Sequence, residues 1–414
     1  MSIDDLYGAV ARYAGRLHAA AGARHHVASP LGAWLLLALC VPAAGPETRA
    51  KLATVLGTDP DVAYHHATAL LERPHRLVAS AAAVWHLPGT AQALAGWLSC
   101  LPEPVTSGDL PDQAVLDAWA REHTYGLIDR FPLDIVPEVE LVLANALATK
   151  VSWQVPFDVV PVDAAGTGNA WAGRVQRLLR TPREPGHRAY IAGTTQAGDV
   201  AVHVAEANAY YTNEQQHELL VVSVIADEAV PSGAVLAAAH DVAAAAAQRV
   251  PAYRSLFDLP LTDTPLWTIR EEPVLTSAIG GREEVGTAVL PAWSASSEHN
   301  LNHEDLGIPA ASEALARLLG LKQYLVEAKQ AAVARYTRTG FEAAAVTAMA
   351  APTGFVQPEQ GLRRIAELRF RHPYAVVAVA TQSDRVGNGL WTAGPWHGLP
   401  AFSAWVTEPD ETAA

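Results

Sequence analysis

The segment "TGFEAAAVTAMAAPTGF", Thr339 to Phe355, is the stretch on which the reading of this chain turns. As a helix, residues 341–351 have good alanine propensity but neither a polar face nor an apolar stripe. As a strand they alternate. Phe341, Ala343, Ala345, Thr347 and Met349 take one side, and Glu342, Ala344, Val346 and Ala348 take the other. Small side chains let such a strand slide between two others at little steric cost. Gly340 supplies a pivot at one end, and Pro352 stops sheet pairing at the other. The segment reads as one that can exist as an exposed loop or as an added strand.

Around it lies a globular chain. Of 414 residues, 50% are hydrophobic and 17% charged, enough apolar material for a substantial core. The formal charge of −14 argues against general nucleic-acid binding, which depends on clustered basic groups neutralising phosphates. Two cysteines, Cys40 and Cys100, make no disulfide framework, and Cys40 lies in an apolar run as a buried thiol would. The N-terminus has no basic start followed by an apolar stretch, so no secretory signal is legible. The most apolar run, Leu31 to Val41, is too short to span a bilayer. The expectation is a soluble, cytoplasmic chain, monomeric and without a membrane partner.

Helical signals come first. Residues 3–21 are periodic, Ser29-Pro30 caps an apolar helix, Pro46 to Gly57 repeats that logic, and residues 112–129 read as an amphipathic helix. From about residue 140 the grammar changes to strands. Val139 to Trp153, "DVAVHVAEA" and "HELLVVSVIAD" read as buried sheet, and helical signals return at 233–249 and 309–328. Tyr374 to Thr381 and Ala401 to Thr407 close the chain as strands. Helices first and strands later, without βαβ alternation, is an α+β pattern, read as one domain over residues 1–414.

No enzyme motif appears. There is no G-x-S-x-G elbow and no phosphate loop, and the GTG and GNG triplets lack a third glycine. His299 and His303 are four apart, a spacing that would align two imidazoles on one helical face. But "EHNLNHED" is not H-E-x-x-H and offers no third ligand, so no metal or other cofactor is expected. The basic stretch Arg174 to Arg188 reads as a solvated strand and turn balancing nearby acids, with polyanion binding the alternative.

Taken in order, several motifs resemble the serpin family. "SPLGAWLLLAL" is similar to its Ser-Pro helix, and "GPETRAKLATVLG" to the helix that follows. "LVLANALATKVSWQVPFD" is similar to the strand signature, here Asn145, Lys150, Trp153, Pro156 and Phe157. "LPAWS", "DLGIPAASEA" and "GFEAAAVTA" resemble the strand, helix and hinge leading into the family's reactive loop. "RFRHPYAVVAVA" and "LPAFSAWVTEP" resemble its two closing strands.

The resemblance implies a metastable fold of three sheets and about eight or nine helices, with an exposed reactive-centre loop at about 338–368. A serine or cysteine protease cuts the loop, which then inserts into the main sheet and traps the enzyme as an acyl-enzyme. Nothing here is catalytic. The implied hinge is Gly340, Phe341, Glu342, Ala343, Ala344, Ala345, Val346 and Thr347, and the usual spacing puts the scissile bond at Gly354-Phe355. Ser29, Asn145, Lys150 and Trp153 are implied as sheet-support residues, in the core and at its gate. The alternative is a non-inhibitory, serpin-like binding or carrier protein. Members of the family are often secreted.

Departures from the pattern carry their own expectations. Phe341 stands where the hinge has a small residue, so its ring should overpack the sheet and slow insertion, at about 1–3 kcal/mol. Arg338 and Thr339 replace an acidic pair. Gln330 replaces a histidine and Gly32 a serine, both expected to remove groups that pin the sheet. The loop is longer than the pattern by roughly eight residues. Arg363 and Arg364 would suit a trypsin-like enzyme if that excess precedes the bond.

Overall fold

A computed structural model describes residues 3–136, 139–182, 184–250, 253–321, 328–341 and 359–411. Eight α-helices form among them: α1 (Ile3–Ala21), α2 (Pro30–Cys40), α3 (Pro46–Leu56), α4 (Pro60–Glu72), α5 (Ala91–Leu98), α6 (Gln113–His123), α7 (Ser232–Ala247) and α8 (Ile308–Leu318). The strands in the first half are β1 (His26–Ala28), β2 (Ala79–His86), β3 (Thr106–Asp109), β4 (Leu141–Ala148), β5 (Val151–Ser152), β6 (Asp158–Pro161) and β7 (Arg177–Arg180). Then come β8 (His187–Thr194), β9 (Gly198–Glu206), β10 (Tyr210–Tyr211), β11 (Gln215–Ile225), β12 (Thr262–Asp263), β13 (Trp267–Thr276) and β14 (Arg282–Leu290). The last are β15 (Trp293–Asn300), β16 (Lys329–Tyr336), β17 (Gly340–Phe341), β18 (Glu359–Arg369), β19 (Tyr374–Val386), β20 (Leu390–Ala393) and β21 (Leu399–Val406). The fold is α+β.

Local chemistry sets the helix ends. Ser29 caps α2, its hydroxyl accepting the Gly32 N–H, with Pro30 as the first helical residue. Asp59 caps α4 through two backbone N–H groups. The helix read over 112–129 stops at His123, because Tyr125 and Gly126 adopt φ of 54° and 74°, which no α-helix accommodates. The helix read over 309–328 likewise ends at Leu318, before Gly320 at φ 72°. The long strand read over 139–153 divides into β4 and β5 at Thr149-Lys150.

An eight-stranded sheet runs β1-β21-β19-β11-β9-β8, with β10 on β11 and β20 on β19. A six-stranded sheet runs β12-β13-β18-β14-β7-β6. In it, β18 is antiparallel to β13 from Thr276↔Glu359 to Trp267↔Leu368 and parallel to β14 from Arg282↔Leu362 to Val289↔Arg369. Ion pairs reinforce both flanks. Arg363 meets Glu272 and Glu283, Arg364 meets Glu271, and Arg369 meets Asp263. The expected reactive loop therefore gives way to strand by Glu359, because this stretch has pairing partners on both edges.

The remaining strands form two half-sheets, β3-β2-β4 and β15-β16-β17-β5. β4 runs on into β5 after two residues, so the halves are one sheet bridged at its head by β17. Below that bridge β4 and β16 line the same cavities with no strand between them among the described residues. α6 covers the outer face of β2 and β4, where Leu116 and Ala120 pack on Ala83, Trp85, Val142 and Ala144. α2 lies beneath, in a buried cluster that reaches from Leu6 to Val406.

That core holds an unusual number of imidazoles. His18, His26, His240 and His299 are all buried, and His18 Nδ1 lies 2.7 Å from His26 Nε2. Burial pushes His26 and His240 down to about 4, and lowers His18 and His299 as well. Because folding lowers these values, the unfolded chain takes up protons below about pH 6.5 that the folded chain refuses. Stability is therefore full above that pH and is lost as pH falls from 6.5 towards 4. Unfolding free energies from urea titrations at pH 7.5, 6 and 5 should fall monotonically, by about 1.4 kcal/mol per pH unit below 6.5 for each group that only the unfolded chain protonates. A flat profile would contradict the buried, neutral assignment.

Candidate functional site

The site assembles where β5, β16 and β17 meet. A tight turn from Tyr336 to Gly340 is held by Thr337, whose hydroxyl donates to Gly340 O (2.9 Å) and accepts the Gly340 N–H (3.1 Å). The turn is fastened to the segment after β5. Trp153 N donates to Thr339 O, its indole Nε1 donates to Thr337 O, and Phe157 N donates to Arg338 O, each at 3.0 Å. Arg338 Nε answers by donating to Phe157 O at 3.1 Å. The residues standing where an acidic pair was expected thus supply the contacts that dock the turn before β17.

Phe341 pairs with Tyr336 on one side and Val151 on the other, and Gly340 pairs with Ser152. Its ring is only 3% exposed. It meets Trp293 edge-on at 6.3 Å, while Trp293 stacks on Tyr336 at 6.1 Å and Trp153 lies 5.1 Å from the same ring. Such aromatic pairs contribute about 0.5–1.5 kcal/mol each beyond burial. The expectation that this ring would obstruct the sheet is therefore corrected: an aromatic pocket receives it, and it anchors the Gly340–Phe341 strand. The rest of the hinge (Glu342, Ala343, Ala344, Ala345, Val346 and Thr347) and the bond Gly354-Phe355 lie outside the described residues.

Lower down, a second group lines a small cavity of about 60 Å³ between β4 and β16. Gln330 makes two hydrogen bonds to one residue: its Oε1 accepts the Ser29 N–H (2.9 Å) and its Nε2 donates to Ser29 O (2.8 Å). The Ser29 hydroxyl donates to Ala401 O at 2.9 Å. Asn145 Nδ2 donates to Ala81 O at 3.0 Å. A Cβ on Gly32 would lie 2.7 Å from Asn145 Oδ1 and 3.2 Å from Ser29 Oγ. So Gln330 ties β16 to α2, and Gly32 makes room for Asn145. The expectation that these two departures unpin the sheet does not hold.

Other residues singled out from sequence fall elsewhere. Trp153 is buried at the hinge, whereas Lys150 is exposed and so is no core residue. Arg363 and Arg364 sit within β18, engaged by glutamates, and are not bait. His299 lies in β15, bonded to Val27 O, while His303 starts a separate short turn, so they share no helix. Among the described residues no group of three potential ligands is placed to hold a metal ion. In the basic stretch, Arg174 reaches Thr407 O, and Arg177, Arg180 and Arg188 face Glu411, Glu367 and Glu206. Cys40 is buried and Cys100 exposed, both as free thiols. No helix among the described residues is long and apolar enough to cross a membrane.

Sequence reading missed His187 and His203, which lie directly behind this site. The signal was present in "DVAVHVAEA". Val200, Val202 and Val204 pack under α7, so His203 falls on the opposite, equally buried side of β9.

No family model matches the chain, and no curated protein matches it. Among solved structures, it is similar to human glycosylated kallistatin, at a TM-score of 0.58 and 14% identity, covering 98% of this chain and 99% of that one. It is similar to tengpin, a thermophilic serpin in the native state, at 0.53 and 14%, covering 98% and 94%. It is also similar to human thyroxine-binding globulin in complex with thyroxine, at 0.54 and 15%, covering 99% and 98%. At these identities the likeness carries the fold: the chain has the serpin fold along nearly its whole length.

Two substitutions test the geometry. Gln330→Leu orphans the Ser29 N–H and leaves Ser29 O with the Ala33 N–H alone, and should cost about 1–3 kcal/mol in denaturant unfolding. Phe341→Thr empties the aromatic pocket. It should cost about 2–4 kcal/mol and make residues 336–341 more exposed to protease, the reverse of what an overpacked ring would give. A more stable Phe341→Thr variant would overturn the anchor assignment.

Proposed function

We propose that this chain is a serpin-type protease inhibitor, a single-use substrate rather than a catalyst. The observation that carries the reading is the Gly340–Phe341 strand, seated between β5 and β16 at the head of a slot between two strand edges. If a cleaved loop entered the slot in the same register, Ala343 would lie between Ala334 and Thr149, Ala345 between Ala332 and Leu147, and Thr347 between Gln330 and Asn145. Ala334, Ala332 and Leu147 belong to the buried cluster beneath the sheet, as Phe341 does. The small residues would fall over the core, and Glu342, Ala344 and Val346 towards α6.

Chemistry follows from the tether. The nucleophile of a serine protease, or of a cysteine protease, attacks a loop carbonyl carbon. An acyl bond forms as the peptide C–N bond breaks, and the new amine stays on the chain anchored by β18. The acyl-bearing end is then free to enter the slot, where each backbone hydrogen bond gained is worth about 0.5–1.5 kcal/mol. The protease is drawn along with its acyl bond intact. The scissile bond read from sequence, Gly354-Phe355, stays part of this proposal.

Incubation with trypsin, chymotrypsin, elastase and subtilisin, followed by denaturing electrophoresis, tests the reading. The expected result is a denaturant-resistant band at the summed mass less that of a released C-terminal fragment, which begins within residues 351–356. Clean cleavage with no such band, and no rise in thermal stability after nicking, would replace it with a non-inhibitory binding or carrier role.

A further inference from the structure

Behind the hinge, His187 on β8 and His203 on β9 stack with centroids 5.3 Å apart and planes at 22°. His187 Nε2 lies 2.7 Å from Val155 O, which can only accept, so this nitrogen carries the hydrogen. Its Nδ1 is then a lone pair, 3.2 Å from His203 Nε2, which must donate. His203 Nδ1 is in turn an acceptor, 3.4 Å from the Tyr336 hydroxyl. One choice of tautomers gives every donor from Tyr336 to Val155 an acceptor, and it holds only while both rings are neutral. Tyr336 is the strand partner of Phe341.

The surroundings offer no counter-charge. Phe157 covers both imidazoles, at 4.3 and 5.4 Å. From β11 comes Ser223, opposite His203 in the sheet, and from β19 the buried Tyr374, both neutral. β14 brings Gly286 against Ala189, and β15 brings Trp293. The nearest charges are peripheral. Arg338 lies on the Phe157 carbonyl, Asp158 and Arg335 are exposed, and the Arg188–Glu206 pair occupies the far face of β8 and β9. Burial, and for His203 the adjacent His187, holds both histidines below their ordinary value.

We propose that this relay is a proton-operated latch on the hinge: His187 and His203 position Tyr336 while neutral, and a proton taken up by either ring releases Gly340–Phe341 from the sheet. The inference rests on the hinge reading above and concerns its regulation. A proton on His187 Nδ1 sets two N–H groups head to head. One on His203 Nδ1 reverses the bond to Tyr336 and leaves a buried charge unpaired. Since folding lowers both values, the latch is closed above about pH 6.5 and opens as pH falls below it. Each unit of lowering is worth about tenfold in its equilibrium.

Hydrogen exchange of the full chain at pH 7.5, 6.5 and 5.5, corrected for intrinsic rates, reads the latch directly. Protection of the peptide spanning 336–341 should fall by about tenfold or more across that range, while β11 keeps its protection. His187→Gln keeps both hydrogen bonds, since its amide donates to Val155 and accepts from His203. It should shift the midpoint to lower pH without loosening the hinge at pH 7.5, and adding His203→Gln should flatten the profile. If the double variant does not fold, the midpoint of the single variant decides. A hinge whose protection is flat with pH, or whose step is unchanged in His187→Gln, overturns the proposal. Trapping of protease at pH 7.5, where the latch is closed, is a separate reading, so either idea can fail while the other stands.

Discussion

Two strand edges that face each other across a slot that no described residue fills govern the rest of this molecule. An unpaired edge is a row of backbone donors and acceptors awaiting a strand, and proteins usually cover, charge or shorten it. Here β4 and β16 are kept apart by what lies above, below and at the head of the slot: α6, α2, and the docked Gly340–Phe341. A strand entering that gap would gain the backbone hydrogen bonds that these two edges leave unmade among the described residues.

The departures from the expected pattern turn out to work together. Gln330 spans both backbone groups of Ser29, a task a single imidazole nitrogen cannot do, since one contact requires an acceptor and the other a donor. Gly32 is coupled to that arrangement through space, because a side chain there would collide with Asn145. Phe341 is coupled to Trp293 and Tyr336 in the same manner. Each substitution read alone predicts weakness. Read with its neighbours, it describes a different set of fasteners for the same joint.

Much of the fold was legible because its signals are local. The Ser29-Pro30 cap, the Pro46 to Gly57 helix and the alternation in β9 and β11 depend on near neighbours in sequence. Helix ends were misread where a left-handed residue such as Tyr125 interrupts good propensity, since nothing in a tyrosine announces a positive φ. The strand character of 359–369 was missed because its partners lie near residues 270 and 285, far along the chain. The site was legible only in part. Gly340 and Phe341 were singled out from sequence and form β17, while the small-residue run after them lies outside the described residues; the seat for Phe341 and the imidazole relay exist only once β5, β8, β9, β15 and β16 are brought together.

The placement of β18 has a mechanical consequence. Pulling residue 359 towards the slot loads the ladders to β13 and β14 along the strand direction, so their hydrogen bonds and the arginine–glutamate pairs resist in shear, all at once and not one by one. Slack cannot be fed from that end. Whatever enters the slot in an uncut chain has to come from residues 342 to 358, and must also leave enough length to climb back to β18. Under the inhibitor proposal, the β18 anchor would set how much chain could enter the slot before a bond is cut.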